Sequence, residues 1–309
     1  MEDSIKVPVI AAGICGSDVM RFKGGYSPES LGHELVVMYR GAAHIVCPMR
    51  PCGRCEFCRF GVSQHCHGLT ALGRNDDNNG GFCGSVSVTV PQLRRVPECV
   101  PLAVATLADP LACVLSALDG LVVNGRRVLI IGDGGIACIA GAALIVLGAR
   151  IDVVSKCHSR AAKLCATFGY SAITSEEVIA DHYDIVLEAV GGTRPTPIEL
   201  VVRAVGCRGH CRLLGVYNPD TFVTVNARML LEKEACIRGS KSYHVREGAF
   251  GDDDHDHLQR AIDMLSLSPK RFAKVVTHVF DLSDRTQLLQ ALERHDIGRS
   301  VGIMYRSIP

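Results

Sequence analysis

The chain has 309 residues, of which 33 are Lys or Arg, 32 are Asp or Glu, and 48% are hydrophobic. That length exceeds one ordinary core and predicts two domains. The near-cancelling charge removes any electrostatic case for nucleic acid or an acidic membrane surface. Fifteen cysteines, an odd number scattered through apolar segments with no charged-then-apolar leader before them, fit a reducing cytosol better than a disulfide framework.

In chain order, the first chemistry-bearing stretches are "AAGICGSDVMRFKGG" and "LGHELVV". Cys15, His33 and Glu34 offer a soft sulfur, an imidazole and a carboxylate, the mixture suited to a zinc that keeps an exchangeable position. Each also has a plain reading, as a buried cysteine, a satisfied histidine and a surface glutamate.

"PCGRCEFCRFGVSQHC" follows. Cys52, Cys55, Cys58 and Cys66 stand in a C-x2-C-x2-C-x7-C spacing. Short gaps let consecutive thiolates face one point, and the longer arm closes a tetrahedron, the geometry of structural zinc. Gly53 and Gly61 relax the backbone where the loop turns back. Such a site has no open coordination position, so it would stabilise a lobe and leave catalysis elsewhere. His65 and His67 flank it and read as surface loop.

"DPLACVLSAL" (Asp109 to Leu118) reads as a helix. The most apolar region, Val128 to Val154, carries Asp133, Arg150 and Asp152 and clustered glycines, so it reads as a buried strand–turn–helix–strand and not as a membrane span. Val128 to Ile131 suits a central parallel strand. Gly132, Gly134 and Ala137, with Gly135 and Ile136 between them, fill G-x-G-x-x-G/A at its end, where small residues let a helix N-terminus approach a pyrophosphate. Asp133 is expected to point away from the phosphates.

At the end of the second strand, Ser155 stands where an NAD-specific site carries an acid, and Lys156, His158 and Arg160 follow. A small hydroxyl with cations suits a 2′-phosphate, so NADP(H) is favoured over NAD(H). Asp152 lies too early to be that acid and reads as an exposed strand residue. "GCRGHCRLLG", with Cys207, His210 and Cys211, reads as a loop entering a strand with no metal, and "GDDDHDHLQR" (Gly251 to Arg260) as a solvated helix N-terminus.

Taken together, "GICGSD", "GHE", the cysteine lobe, "DPLACVLSAL", "IGDGGIA", "DIVLEAVGG" and "LLGVY" resemble, in this order, the zinc-dependent medium-chain alcohol dehydrogenases, with the polyol and threonine dehydrogenase branch the nearer match. The resemblance implies a doubly wound Rossmann sheet inserted into a mostly-β GroES-like catalytic domain, within an α/β fold. The catalytic domain would span 1–111 plus 269–309, and the dinucleotide domain 112–268. By resemblance Cys15, His33, Glu34 and Asp109 are ligands of a catalytic zinc. Ser17 is the hydroxyl that bonds the substrate oxygen, and Asp18 is the carboxylate that orients His33. Val190 and Gly215 join the cofactor contacts, and a homodimer or homotetramer is implied.

Two departures stand out. Met20 occupies the place where many relatives carry a proton-passing histidine. The segments before "CGSD" and between Glu34 and Cys52 are shorter than in relatives.

The second half is also similar to bacterial NADPH-dependent ribulose-5-phosphate reductases, through "VNARMLLEKEACIRGS" and "DIGRSVGIMY". A phosphorylated substrate would want cations, for which Arg21, Lys23, Lys241 and Arg299 are candidates. The leading expectation is a cytoplasmic, zinc-dependent NADP(H) oxidoreductase of a polyol, sugar or sugar phosphate. The alternatives are an NAD-dependent polyol, amino-alcohol or aminocyclitol dehydrogenase, and a zinc- and nucleotide-binding module without turnover.

Overall fold

The computed structural model describes residues 4–74, 80–192, 196–245, 256–293 and 299–304. The chain forms two compact units, Met1–Ala112 with Ser242–Pro309, and Cys113–Lys241.

The first unit opens with strand β1 (Ile5–Gly13) and helix α1 (Gly16–Lys23). Strands β2 (Glu34–Tyr39) and β3 (Ala42–Val46) follow as an antiparallel hairpin. Arg40 and Gly41, at φ 48° and 75°, make its two-residue turn, the left-handed geometry that matches strand twist. Then come the two-residue strand β4 (Met49–Arg50), the helical turn α2 (Glu56–Arg59), and β5 (Thr70–Ala71), which pairs with β4. Strands β6 (Ser85–Val88) and β7 (Leu93–Arg95) and helices α3 (Leu102–Ala105) and α4 (Ala108–Leu118) complete this part. The unit boundary falls inside α4.

The second unit alternates strand and helix. It runs β8 (Arg127–Ile131), α5 (Gly135–Val146), β9 (Arg150–Val154), α6 (His158–Phe168), β10 (Ser171–Ile173) and β11 (Tyr183–Glu188). α7 (Thr196–Ala204), β12 (Val205–Leu213), α8 (Ala227–Lys233) and β13 (Cys236–Gly239) follow. The six strands pair in the order β10-β9-β8-β11-β12-β13, parallel throughout, which is the doubly wound dinucleotide-binding order. Val128, Leu129 and Ile130 of β8 are buried, as the apolar run predicted for a central strand. α5 buries Ala137, Ala140, Ala142 and Ala143, small residues that bring its axis close to the sheet. Cys207, His210 and Cys211 all lie on β12 itself, so the expected loop is strand.

The return to the first unit adds α9 (His257–Leu267), α10 (Pro269–Ala273), β14 (Val276–Asp281), α11 (Arg285–Glu293) and β15 (Arg299–Ile303). Its main sheet runs β14-β15-β1-β2-β3-β7, with β6 also on β1. Val7, Val9, Leu31, Leu35, Val37, Val86 and Val88 fill the core beside it.

The crossing at Ser242 comes earlier than the expected 269. Tyr243 is fully buried in the first unit, Val245 exchanges hydrogen bonds with Ser63 Oγ, and Asp256 pairs with Arg94 at 3.1 Å. These polar and apolar anchors tie residues 243–245 and 256 to the first unit, a connection that local periodicity does not carry. Asp256 caps α9 by accepting from Leu258 N and Gln259 N, so one acid of "GDDDHDHLQR" acts at a helix start; residues 251–255 lie outside the described ones. Among the described residues, no helix is long and apolar enough to cross a membrane.

Candidate metal centres and nucleotide loop

Cys52, Cys55, Cys58 and Cys66 each bring a sulfur within 4.8 Å of the others. Cys55 begins α2 and Cys58 sits on it, while Gly53 and Gly61 take φ 69° and 72° at the turns, as the loop requires. The Cys55 and Cys58 sulfurs are 3.5 Å apart, a thiol contact and not a disulfide. Backbone N–H groups of Arg54 and Cys55 draw the Cys52 thiol down to about 6, toward the thiolate that a metal needs. Four sulfurs in one shell fit a closed structural zinc.

Cys15, His33 and Glu34 likewise bring their donor atoms within 4.8 Å of one another. Cys15 begins α1, and His33 and Glu34 lie at the start of β2, which runs antiparallel to β1. Glu34 lies opposite Gly13 in that register, and a Cβ at Gly13 would run into the Glu34 carboxylate; the glycine makes room for it. Asp18 is buried one turn into α1, accepts from Cys15 N at 2.9 Å and Gly32 N at 3.2 Å, and faces His33 Nδ1 at 3.2 Å. Nδ1 faces this carboxylate, and Nε2 is the nitrogen that a metal would take, in place of the Arg74 guanidinium that lies 3.1 Å from it.

The electrostatics ask for positive charge. Burial pushes the Cys15 thiol up, yet the bond and charge of His33 and the charge of Arg299 bring it down to about 5. Burial likewise opposes an Asp18 anion, and His33 outweighs it, holding the carboxyl below its ordinary range. Arg299 Nη1 lies 3.0 Å from Glu34 Oε1, where burial still outweighs its charge and pushes the Glu34 carboxyl well up, and Arg74 Nη2 lies 3.1 Å from His33 Nε2. Glu34 Oε1 has the Arg299 ion pair, and Glu34 Oε2 remains buried without a hydrogen-bond partner among the described residues. Buried sulfur, nitrogen and unsatisfied carboxylate oxygen at one point fit zinc.

The other expected residues divide. Ser17 Oγ is buried and has no hydrogen-bond partner among the described residues, so it can meet a ligand oxygen. Asp109 does not join the three donors; its carboxylate accepts the Tyr243 hydroxyl at 2.7 Å. Met20 is half exposed. Arg299 is buried, donates to Ile14 O at 2.7 Å and pairs with Glu34, so it is not a surface cation awaiting a phosphate. Arg74 was invisible to motif reasoning, because it enters from a turn after β5, far from His33 in sequence.

In the second unit, Gly132, Gly134, Gly135, Ile136 and Ala137 run from the end of β8 into α5. Gly134 caps α5 with no side chain, and a Cβ there would meet nothing within 4 Å, which leaves the helix N-terminus open to an anion. Glu188 Oε1 accepts from Val190 N at 2.7 Å and Gly191 N at 2.9 Å, shaping the turn after β11, and Gly215 packs on the Gly191 backbone. This open, glycine-lined strand-to-helix turn fits a dinucleotide.

Ser155, Lys156 and Arg160 do gather at the end of β9, but around Asp133. Its carboxylate accepts from Ser155 Oγ at 2.7 Å, Lys156 N at 3.4 Å, Arg160 Nε at 2.6 Å and Arg160 Nη2 at 2.9 Å. Asp152 is half-buried and accepts the Tyr183 hydroxyl at 2.9 Å, a structural bond and not an exposed side chain. Cys207, His210 and Cys211 form no cluster of metal-ligand spacing among the described residues.

Residues 1–98 match the family described as alcohol dehydrogenase GroES-like domain. Galactitol 1-phosphate 5-dehydrogenase of Escherichia coli K12 is 27% identical over 266 residues, 77% of this chain and 76% of the relative. D-altritol 5-dehydrogenase of Agrobacterium fabrum is 25% identical over 303 residues, 90% of this chain and 85% of the relative. Among solved structures, a protein of Sinorhizobium meliloti 1021 described as a zinc-binding dehydrogenase, bound to NADP, superposes with a TM-score of 0.82 at 23% identity, covering 98% of this chain and 92% of that one. That last likeness carries the fold.

Proposed function

We propose that this chain, which belongs to the polyol branch of the zinc-type medium-chain alcohol dehydrogenases, moves hydride between a nicotinamide dinucleotide and the secondary alcohol or ketone of a polyol, sugar or sugar phosphate. The observation that carries this reading is the convergence of Cys15, His33 and Glu34 within 4.8 Å, with Glu34 Oε2 buried and without a hydrogen-bond partner among the described residues. Bound there, zinc supplies Lewis acidity to an alcohol or carbonyl oxygen, and the nicotinamide carries the hydride.

The chain's own residues do the rest. Asp18 faces the His33 ring at Nδ1 and, with the lowered Cys15 thiol, provides the negative charge that draws a cation in. Ser17 Oγ, on the first turn of α1 beside Cys15, is placed to hydrogen-bond a substrate hydroxyl or its alkoxide. Met20 can neither take nor give a proton, so the hydroxyl proton leaves by another route, through water, a ribose hydroxyl of the dinucleotide or a residue such as Glu34.

A phosphorylated polyol is the favoured substrate class. Arg21 donates to the Arg74 carbonyl, and the Arg74 guanidinium reaches the His33 ring, so two cationic side chains gather on that side of the cluster. A phosphate there gains charge-assisted bonds that a plain polyol lacks. The relative that acts on galactitol 1-phosphate is consistent with this class.

The test is turnover of a panel of polyols, ketoses and their phosphates by the zinc-loaded protein, with both reduced and oxidised dinucleotides. Oxidation of a polyol phosphate, lost in Cys15→Ser and weakened in KM by Arg74→Ala, supports the proposal. A fully zinc-loaded protein that turns over no member of the panel overturns it in favour of a binding module.

A further inference from the structure

The glycine loop carries an acid at its second position, and that acid does not face solvent. Asp133 and Ser155 are 6% and 4% exposed, and Arg160 closes over the carboxylate with two guanidinium N–H bonds. Ser155, the Lys156 backbone N–H and Arg160 form a three-sided donor set at the end of β9, where a dinucleotide sheet reads the adenosine ribose. Donors of that kind and number suit a phosphate monoester. Here a carboxylate of the chain already sits among them.

We infer that Asp133 makes this chain select NAD(H) over NADP(H), by holding from within the donors that a 2′-phosphate would need. The inference rests on reading residues 113–241 as a dinucleotide-binding unit. It reverses the preference that Ser155, Lys156 and Arg160 suggest when read without their partner.

Three physical consequences point the same way. Asp133 accepts hydrogen bonds from the Ser155 hydroxyl and the Lys156 N–H, so neither can be offered to a phosphate without breaking a bond already made. It pairs with Arg160, so that guanidinium is already neutralised before a dianion arrives. A fixed carboxylate close to that dianion also repels it, and more strongly at a partly buried site than in water. None of these costs applies to a ribose with free hydroxyls, which donate to a carboxylate.

The test is nucleotide binding without substrate, followed by the fluorescence of NADH and NADPH as each is titrated into the full chain. The wild type is expected to bind NADH at least about tenfold more tightly, and Asp133→Asn to move the ratio toward NADPH by about tenfold or more. Adding Arg160→Ala to Asp133→Asn should abolish that gain, since the released guanidinium is what the phosphate would use. Asp133→Ser repeats the measurement should the asparagine variant fail to fold. A wild type that prefers NADPH, or an Asp133 variant with an unchanged ratio, overturns the inference while leaving the dinucleotide reading intact. A wild type that binds neither nucleotide overturns the dinucleotide reading, and the inference with it.

Discussion

Arg299 and Glu34 meet in the interior of the first unit, with Arg299 Nη1 3.0 Å from Glu34 Oε1 and the two side chains 6% and 1% exposed. The pair joins the last strand to the second, through opposite ends of the chain. Arg299 Nη1 also donates to Ile14 O, the residue before Cys15. The guanidinium therefore fixes one donor of the cluster by charge and the backbone beside another by a hydrogen bond.

Removing the guanidinium leaves a buried carboxylate without its counter-ion, and breaking such a pair on one side costs about 3–5 kcal/mol. Arg299→Met is expected to lower the denaturation midpoint of the first unit by a corresponding amount, read by urea unfolding at neutral pH. Arg299→Met combined with Glu34→Gln removes both charges and should recover part of the loss. If the double variant is as unstable as the single one, the pair is not what Arg299 contributes.

Metal content separates the two clusters. Zinc analysis of purified protein should give two ions per chain, from the Cys52–Cys55–Cys58–Cys66 set and the Cys15–His33–Glu34 set. Cys66→Ser should lose one ion and much thermal stability, because a structural site contributes folding free energy directly. His33→Ala should lose the other ion and all turnover with a smaller change in melting. Loss of both ions in His33→Ala would mean that the clusters are not independent.

Legibility in the sequence followed the range of the forces involved. β8, α5 and β9 were readable because an apolar run, a small-residue helix and a glycine turn are local patterns. The cysteine lobe was readable because its ligand spacing lies within one loop. Cys15, His33 and Glu34 emerged from motif order, and the structure does bring them together. What local pattern could not carry is pairing across the fold: Arg74 on His33, Arg299 on Glu34, and Tyr243 on Asp109. Asp133 shows the same limit, since each member of its cradle was noticed singly, yet the sign of the local charge is set only when they meet.

Tyr243 tests the early return of the chain. Its ring is fully buried and its hydroxyl donates to Asp109 Oδ1 at 2.7 Å, inside the first unit. Asp109 is 5% exposed, so losing this donor leaves a desolvated carboxylate oxygen, a cost of about 1–3 kcal/mol. Tyr243→Phe keeps the ring's packing and should lower stability by that order, whereas Asp109→Asn should be milder because an amide oxygen still accepts. Equal stability of wild type and Tyr243→Phe would remove this bond as an anchor of the 242–245 segment.

Asp133 also predicts a pH dependence with a definite sign. Burial opposes its ionisation, but the hydrogen bonds of Arg160 and Ser155 and the charge of Arg160 outweigh it, so its carboxyl is held below the ordinary value of 3.8. A carboxyl whose pKa is depressed by folding contributes stability in full above its unfolded value, and loses it as pH falls through the folded one. The stability difference between wild type and Asp133→Asn should therefore be flat from neutral pH down to about 5 and shrink on acidification below about 4. Taking the difference at each pH cancels acid effects shared by both proteins, including loss of metal from thiolate sites. Thermal midpoints across that range read it directly. A difference that grows on acidification, or that does not change there, would mean that Asp133 is not held as an anion by Arg160, and the charge cancellation that sets dinucleotide choice would lose its basis.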